Sequence, residues 1–421
     1  MSDARSVQRT YLLLILLTTL ASSFIWGINT LFLLDAGLDN AQAFAANAFF
    51  TLGMVVFEIP TGVVADTRGR RFSFLLGAAT LLASTLLYVL MWQIRAPLVG
   101  WAISSILLGL GFTFFSGATE AWLVDALRAT NFTGSLERVF GRAQTINGAA
   151  MLVGSVAGGF IAQASNLGVP YLVRAALLSL TLVVAWRAMH DIGFAPARGV
   201  NPVTAVRTVI KGSIDGGFRN RPVRWLMLAS PVSSGIGVFV FYALQPYLLE
   251  LYGDPKAYAI AGLAAAIVSG AQIVAGLLVP YARRLFGRRT TALVLASFLD
   301  VVVLVGIGAT ASFVVALVLV TAWSLVFSLR TPFRQAFING LIPSEQRATV
   351  LSFDSLMGSS GGVVAQPALG RGADLYGYAA AYVVSGALSA LAIPFMLLAR
   401  REHASSDPIV EEALSVEPSP A

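Results

Sequence analysis

Long uncharged stretches alternate with short polar intervals along the whole chain, and that rhythm predicts the architecture. Residues 11–34, 72–94 and 96–119 carry no Asp, Glu, Lys or Arg. Each is longer than the roughly 20 residues an α-helix needs to cross a bilayer. Hydropathy and loop punctuation predict twelve spans, at 11–34, 42–65, 72–94, 97–124, 142–165, 170–189, 223–250, 257–281, 290–309, 311–329, 349–370 and 376–399. Transmembrane β-strands would instead show short alternating segments. A polar segment, 190–221, separates the sixth span from the seventh. A polar, proline-bearing tail, 401–421, follows the twelfth and is expected to be disordered.

The halves on either side of the polar segment look related. The tripeptide GRR at Gly69–Arg71 recurs at Gly287–Arg289, each time between the second and third spans of its half. Paired glycines, Gly158–Gly159 and Gly361–Gly362, fall on the fifth span of each half. The expectation is an N-terminal six-helix bundle over 1–189 and a C-terminal one over 222–400. Parallel repeats of this kind mark one large class of transporters.

Composition strengthens the membrane reading. Hydrophobic residues make up 57% of the chain and charged residues 12%, against about 25% charged in a typical soluble domain. The net charge of +7 would suit a nucleic-acid partner, but its distribution argues otherwise. With the N-terminus inside, every one of the 28 basic residues except Arg95, Arg174, Lys256 and Arg371 falls toward the cytoplasmic side. That is the positive-inside bias of a membrane protein. Both termini are therefore expected in the cytoplasm, with the chain in a bacterial inner membrane. The first apolar run is too long for a cleavable leader. Cysteine is absent and only two histidines occur, so neither thiol chemistry nor a metal site is expected. No nucleotide loop and no nucleophile–base set point to an enzyme, and no cofactor is expected.

The interval between the second and third spans, GVVADTRGRR at residues 62–71, is dense in charge for so apolar a chain. Gly62 is expected to let the end of the second span approach a neighbouring backbone, and Gly69 to supply a tight turn. Asp66 can pair with an arginine across the hairpin, and Asp125 on the fourth span is a further partner for Arg70. The stretch resembles the signature loop of the major facilitator superfamily, Gly-x-x-x-Asp-Arg-x-Gly-Arg-Arg/Lys, with Arg68 displaced by one place behind Thr67. Placement, span count and repeated halves agree with that resemblance over residues 10–400. It implies the major facilitator fold, an all-α membrane protein of twelve helices in two pseudo-symmetric bundles. It also implies that Gly62, Asp66, Arg68, Gly69, Arg70, Arg71 and Asp125 form a conformational latch. The second copy, at 280–289, has Arg284 where the acid should stand, and is expected to anchor without latching.

On the fifth span, Ala150, Gly154, Gly158 and Ala162 recur every fourth residue and offer one small face for close helix packing, with Gly159 beside it. The run resembles the exporter signature of the same superfamily, with Ala150 and Ser155 in place of a glycine and a proline. The arginine that the family resemblance would place on the fourth span is missing, since Ser104 and Ser105 stand there. Acids inside spans need a reason. Glu120 and Glu58 are candidate proton carriers, with a structural role beside the arginines as the alternative reading. The family fold implies a cavity between the bundles, for which Trp26, Asn29, Gln144, Asn147, Tyr242, Gln245, Gln272 and Trp323 are candidate contacts.

These readings converge on a secondary transporter, expected to export a small lipophilic compound in exchange for protons and to act as a monomer. Uptake or facilitated movement of a metabolite or lipid is the alternative on the same fold. A membrane receptor or scaffold that carries nothing is the alternative of another class.

Overall fold

A computed structural model describes residues 3–115, 117–194, 204, 207, 211, 214–342 and 344–409. Most of the expected central segment between 195 and 213 lies outside the described residues, as does 410–421 of the expected tail. The described residues form helices, with a single isolated bridge between Arg288 and Pro408.

Two helices share the first crossing, α1 (Ala4–Trp26) and α2 (Asn29–Asp35). Then come α3 (Asn40–Arg68), α4 (Arg70–Gln93), and the pair α5 (Leu98–Thr113) and α6 (Ala118–Ala129) in the fourth crossing. The half closes with α7 (Leu136–Ala164) and α8 (Val169–Ala188). The second half runs α9 (Arg221–Tyr252), α10 (Tyr258–Leu285), α11 (Arg289–Ala309), α12 (Phe313–Asn339), α13 (Ser344–Ser389) and α14 (Ala392–Arg401). The stretch Val350–Arg401 is 52 residues long. That is about 78 Å of helix, far more than the roughly 30 Å hydrocarbon core. Gly377 turns it back with φ 80° and ψ 166°, so it makes two crossings and the chain makes twelve.

Several helices run past the spans read from hydropathy. α3 reaches Arg68, α7 starts at Leu136 and α12 continues to Asn339. Hydropathy marks only the apolar part, whereas the backbone stays hydrogen-bonded beyond the bilayer. Starts are capped where the sequence allows. Asp39 and Gln42 form a reciprocal capping box on α3, and Ser135 and Ser312 cap α7 and α12. Leucine, valine and aromatic side chains such as Val153, Phe160, Leu277, Val302 and Val364 stay exposed, as a lipid-facing surface requires.

The bundles meet along two helix pairs, α3 against α13 and α7 against α10. Hydrogen bonds between the halves gather at one end. Asp374 accepts from the amides of Asn40 and Ala41, each at 2.9 Å, and so caps α3 from the opposite half. Tyr378 donates to Asn40. Gln163 accepts the Ala259 amide at 3.0 Å, and Gln366 reaches Thr51 at 3.4 Å. Here the backbones nearly touch. A Cβ on Gly159 would stand 2.7 Å from the Tyr258 carbonyl oxygen, and one on Gly27 would stand 3.0 Å from Gly262 Cα. This end is closed.

The other end carries the start of α1 and the GRR loops. Among the described residues, no hydrogen bond or ion pair joins the two halves there. Asp66, Glu120, Arg142 and Gln144 are exposed. A Cβ on Gly62 would meet nothing within 4 Å, so the close backbone approach expected at Gly62 is absent.

The tail was expected to be disordered from residue 401, but residues 402–409 are folded onto the C-terminal bundle. Asp407 accepts from the Thr290 amide at 2.8 Å and from the Thr290 hydroxyl at 2.9 Å, which caps α11. Arg289 donates to the carbonyls of Ser406 and Pro408. The N-terminal half repeats the device: Asp191, just past α8, accepts the Arg71 amide at 2.8 Å at the start of α4. Each GRR copy thus receives an acid from the end of its own half. Arg330 and Arg334, beyond the tenth span as read from hydropathy, lie inside α12.

Candidate functional site

A cavity of about 350 Å³ is lined by the N-terminal bundle and, from the second half, by Tyr242, and its volume is within the size range of small-ligand sites. Its described walls are largely apolar: Trp26, Phe50, Met54, Leu108, Phe112, Met151 and Tyr242. Asn29, Asn47, Tyr88 and Arg174 bring polar groups to it. The break in the first crossing shapes its roof. Helix α1 ends at Trp26 and α2 starts at Asn29, so both residues stand at the discontinuity. The Trp26 ring packs 4.8 Å from that of Phe241 in the opposite half. Gln245 on α9 bonds to both sides of the break, accepting from the Thr30 amide at 2.8 Å and donating to the Trp26 carbonyl at 2.9 Å.

Of the residues expected at the cavity, Trp26, Asn29 and Tyr242 line it, and Gln245 seals its closed side. Gln144 and Gln272 are exposed elsewhere, Asn147 is half-buried on α7, and Trp323 is buried in the C-terminal core against Phe327. None of these last four lines the cavity in this conformation.

Arg174, one of the four basic residues away from the cytoplasmic side in the sequence, is a feature of the site that its sequence position alone did not mark. The side chain is 1% exposed. Its Nε donates to Thr85 Oγ1 at 3.0 Å and its Nη1 to the Ala21 carbonyl at 3.1 Å. The guanidinium lies 5.7 Å from the Phe112 ring centre, and Nη2 has no partner. A charge at bilayer depth costs about 2.5–3.5 kcal/mol even on insertion scales. Its signal was visible as an arginine well inside a span whose other charge, Arg187, stands in the last turn. Around it, Phe32 stacks on Tyr171 with ring centres 3.9 Å apart, and the Tyr88 hydroxyl pairs with Ser105 at 2.6 Å. Ser105 is one of the two serines standing where the family arginine was missing.

The charged loop assembles within the N-terminal half. Arg70 pairs with Asp66 and lies 3.9 Å from Asp125. Arg71 donates to the Trp186 carbonyl at 2.5 Å. Arg68 is exposed and lies over the Phe72 ring. Gly69 has φ 114°, and a Cβ there would stand 2.3 Å from Asp191 Oδ2, so both backbone and neighbour demand glycine. Partly solvated pairs of this kind contribute roughly 0–1 kcal/mol each. Glu58 is half-buried on α3, and Glu120 is exposed in the first turn of α6. The small face of α7 works in two directions. A Cβ on Gly154 would overlap Ser23 and one on Gly158 would overlap the Phe24 carbonyl, both on α1, while Gly159 meets α10 across the interface.

In the second half, Arg334 pairs with Asp354 and donates to Ser230 at 2.6 Å. These three border a polar pocket of about 360 Å³. Among the described residues no group of three or more His, Cys, Asp or Glu could hold a metal.

Two bundles of six crossings, sealed at one end over a cavity, are the architecture of membrane transporters. The profile of the Major Facilitator Superfamily matches residues 11–329 and 261–420, and the chain belongs to that superfamily. It is 23% identical over 227 residues to an uncharacterized MFS-type transporter of Methanocaldococcus jannaschii. That match covers 54% of this chain and 56% of the relative, so the chain spans about half the length of the curated relative it matches. Among solved structures, the nucleoside transporter NupG superposes with a TM-score of 0.75 at 11% identity, covering 94% of this chain and 99% of that one. The POT family transporter PepTSo gives 0.72 at 13% identity, covering 96% and 99%. The human organic anion transporter MFSD10 gives 0.60 at 16%, covering 94% and 100%. At these identities the likeness concerns the fold.

Proposed function

We propose that the chain exports a small lipophilic compound across a bacterial inner membrane by alternating access, in exchange for protons. The observation that carries this reading is the asymmetry of the interface: polar bonds and touching glycines close one end of the cavity, and the other end is open. With both termini cytoplasmic, as the arginine distribution predicts, the open end faces the cytoplasm and the molecule is inward-facing. The cavity's apolar walls suit a lipophilic cargo. The small-residue face of α7, which resembles the exporter signature, supports export over uptake. Glu120, exposed at the open end, is placed to exchange a proton with the cytoplasm, and Glu58 is the second candidate.

In this reading the Asp66–Arg70–Asp125 cluster is an unengaged latch. It is held within one half here and meets the other half when the open end closes.

Everted vesicles test the proposal. A transported lipophilic compound should alkalinise the vesicle interior, and Asp66→Asn should insert normally yet slow that exchange. Transport with no proton movement would refute the coupling. Unchanged exchange in Asp66→Asn would refute the latch.

A further inference from the structure

Among the described residues, Arg174 is a buried cation without a counterion. Its placed bonds go to a hydroxyl and a carbonyl. Its electrostatic neighbours are the phenols Tyr171 and Tyr88, and among the described residues no Asp or Glu forms an ion pair with it. The two neutral bonds fix the guanidinium and leave Nη2 without an acceptor. A residue needed only to join helices would not require a full positive charge, and burial penalises that charge.

A second orphan donor stands in the same wall. Tyr171 donates to Asn29 Oδ1 at 2.8 Å, and Asn29 Nδ2 donates to Asn47 Oδ1 at 2.8 Å. This relay fixes the Asn47 amide with its Nδ2 unpaired, and Asn47 is 2% exposed. Asn47 and Arg174 both line the central cavity, and Arg174 is the one charged residue in its described lining. The site therefore combines two donors that lack acceptors with one uncompensated positive charge. Trp26, Phe50, Phe112 and Tyr242 surround it with aromatic surface. A bare inorganic ion would leave that surface empty. A group with two acceptor oxygens and a single negative charge, on a flat apolar body, would use all of it.

We propose that Arg174 and Asn47 form the head-group subsite for a small organic monoanion, a carboxylate carried on an aromatic or similar apolar body. This rests on the cavity being the transport site and names the chemistry of its cargo.

The probes are 2-naphthoate, its neutral amide 2-naphthamide, and the cation benzyltrimethylammonium. Binding to the purified full chain is read by tryptophan fluorescence, with Trp26 in the cavity wall as reporter, and by melting temperature. Naphthoate should bind about tenfold or more tightly than either other probe. Arg174→Gln should erase that preference, and Arg174→Lys should restore part of it. If Arg174→Gln does not fold, Asn47→Asp keeps the acceptor for Asn29 and sets a carboxylate oxygen in place of the free donor. That variant should lose naphthoate binding and melt no lower than the parent chain.

Equal binding of naphthoate and naphthamide, no naphthoate binding, or wild-type naphthoate affinity in Asn47→Asp would each overturn the assignment. If the amide or the cation crosses proteoliposomes and naphthoate does not, only the anion assignment falls. If naphthoate binds but no probe crosses, and Ser22→Cys is labelled from one face alone, the transport reading falls and the anion site stands.

Discussion

The side-chain amide of Gln245 replaces a missing backbone hydrogen bond of Thr30. In an unbroken helix the Thr30 amide would donate to the Trp26 carbonyl four residues earlier. Here the helix is interrupted, and Gln245 from the opposite half accepts from Thr30 at 2.8 Å and donates to Trp26 at 2.9 Å. The freed groups sit where water is scarce, and an unpaired buried backbone group costs about 1–3 kcal/mol. Gln245→Leu should therefore weaken the closed end by about that amount for each group and move the population toward the opposite state. The chain has no native cysteine, so Ser22→Cys in the cavity wall gives a single labelling site. Its reaction with an impermeant maleimide should shift from the open face toward the closed face in Gln245→Leu. An unshifted labelling pattern would mean that Gln245 does not hold this end shut.

Glycines at the two ends make opposite predictions. At the closed end, Gly159 has no room for a Cβ beside the Tyr258 carbonyl and Gly262. Gly159→Leu should pry that end apart. At the open end, a Cβ on Gly62 would meet nothing within 4 Å, so Gly62→Trp should fold normally and its bulk should hinder closure of that end. Both variants should transport poorly, but maleimide labelling of Ser22→Cys should change in opposite senses, outward for Gly159→Leu and locked inward for Gly62→Trp. Shifts of the same sign would break the link between glycine packing and the direction of opening.

The twelve crossings were legible because a bilayer imposes a one-dimensional rule: enough consecutive apolar residues must appear for each span. The GRR copies were legible as repeats. The arrangement around Gln245 was not, because the interruption at residues 27–28 lies inside a continuous apolar run that hydropathy reads as one helix. Arg174 was visible as a charge in a span. Its significance came only from three-dimensional facts, namely that its partners are neutral and that Asn47, distant in sequence, shares its wall. Gln144, Asn147, Gln272 and Trp323 were equally plausible as polar or aromatic residues at mid-span. Helix rotation, which pattern alone fixes poorly, turned them elsewhere. The disorder expected from Arg401 onward does not hold for residues 402–409, and the reason is simpler: composition cannot reveal that Asp407 has an uncapped helix start within reach.

That cap supports the last prediction. Asp407 satisfies the Thr290 amide and hydroxyl at the head of α11, while Arg289 clamps the carbonyls of Ser406 and Pro408. Asp191 caps α4 in the other half. Loss of a capping side chain costs about 0.5–2 kcal/mol, and the contact lies far from the cavity. Asp407→Ala should therefore lower the melting temperature measurably and leave substrate affinity unchanged. Asp191→Ala should also destabilise, but it frees the Arg71 amide beside the latch, so it should alter transport kinetics as well. Truncation after Ser405 should destabilise about as much as Asp407→Ala, because both remove the same cap. If truncation alone destabilised the chain and Asp407→Ala did not, the tail would act through its backbone contacts with Arg289 rather than through the carboxylate.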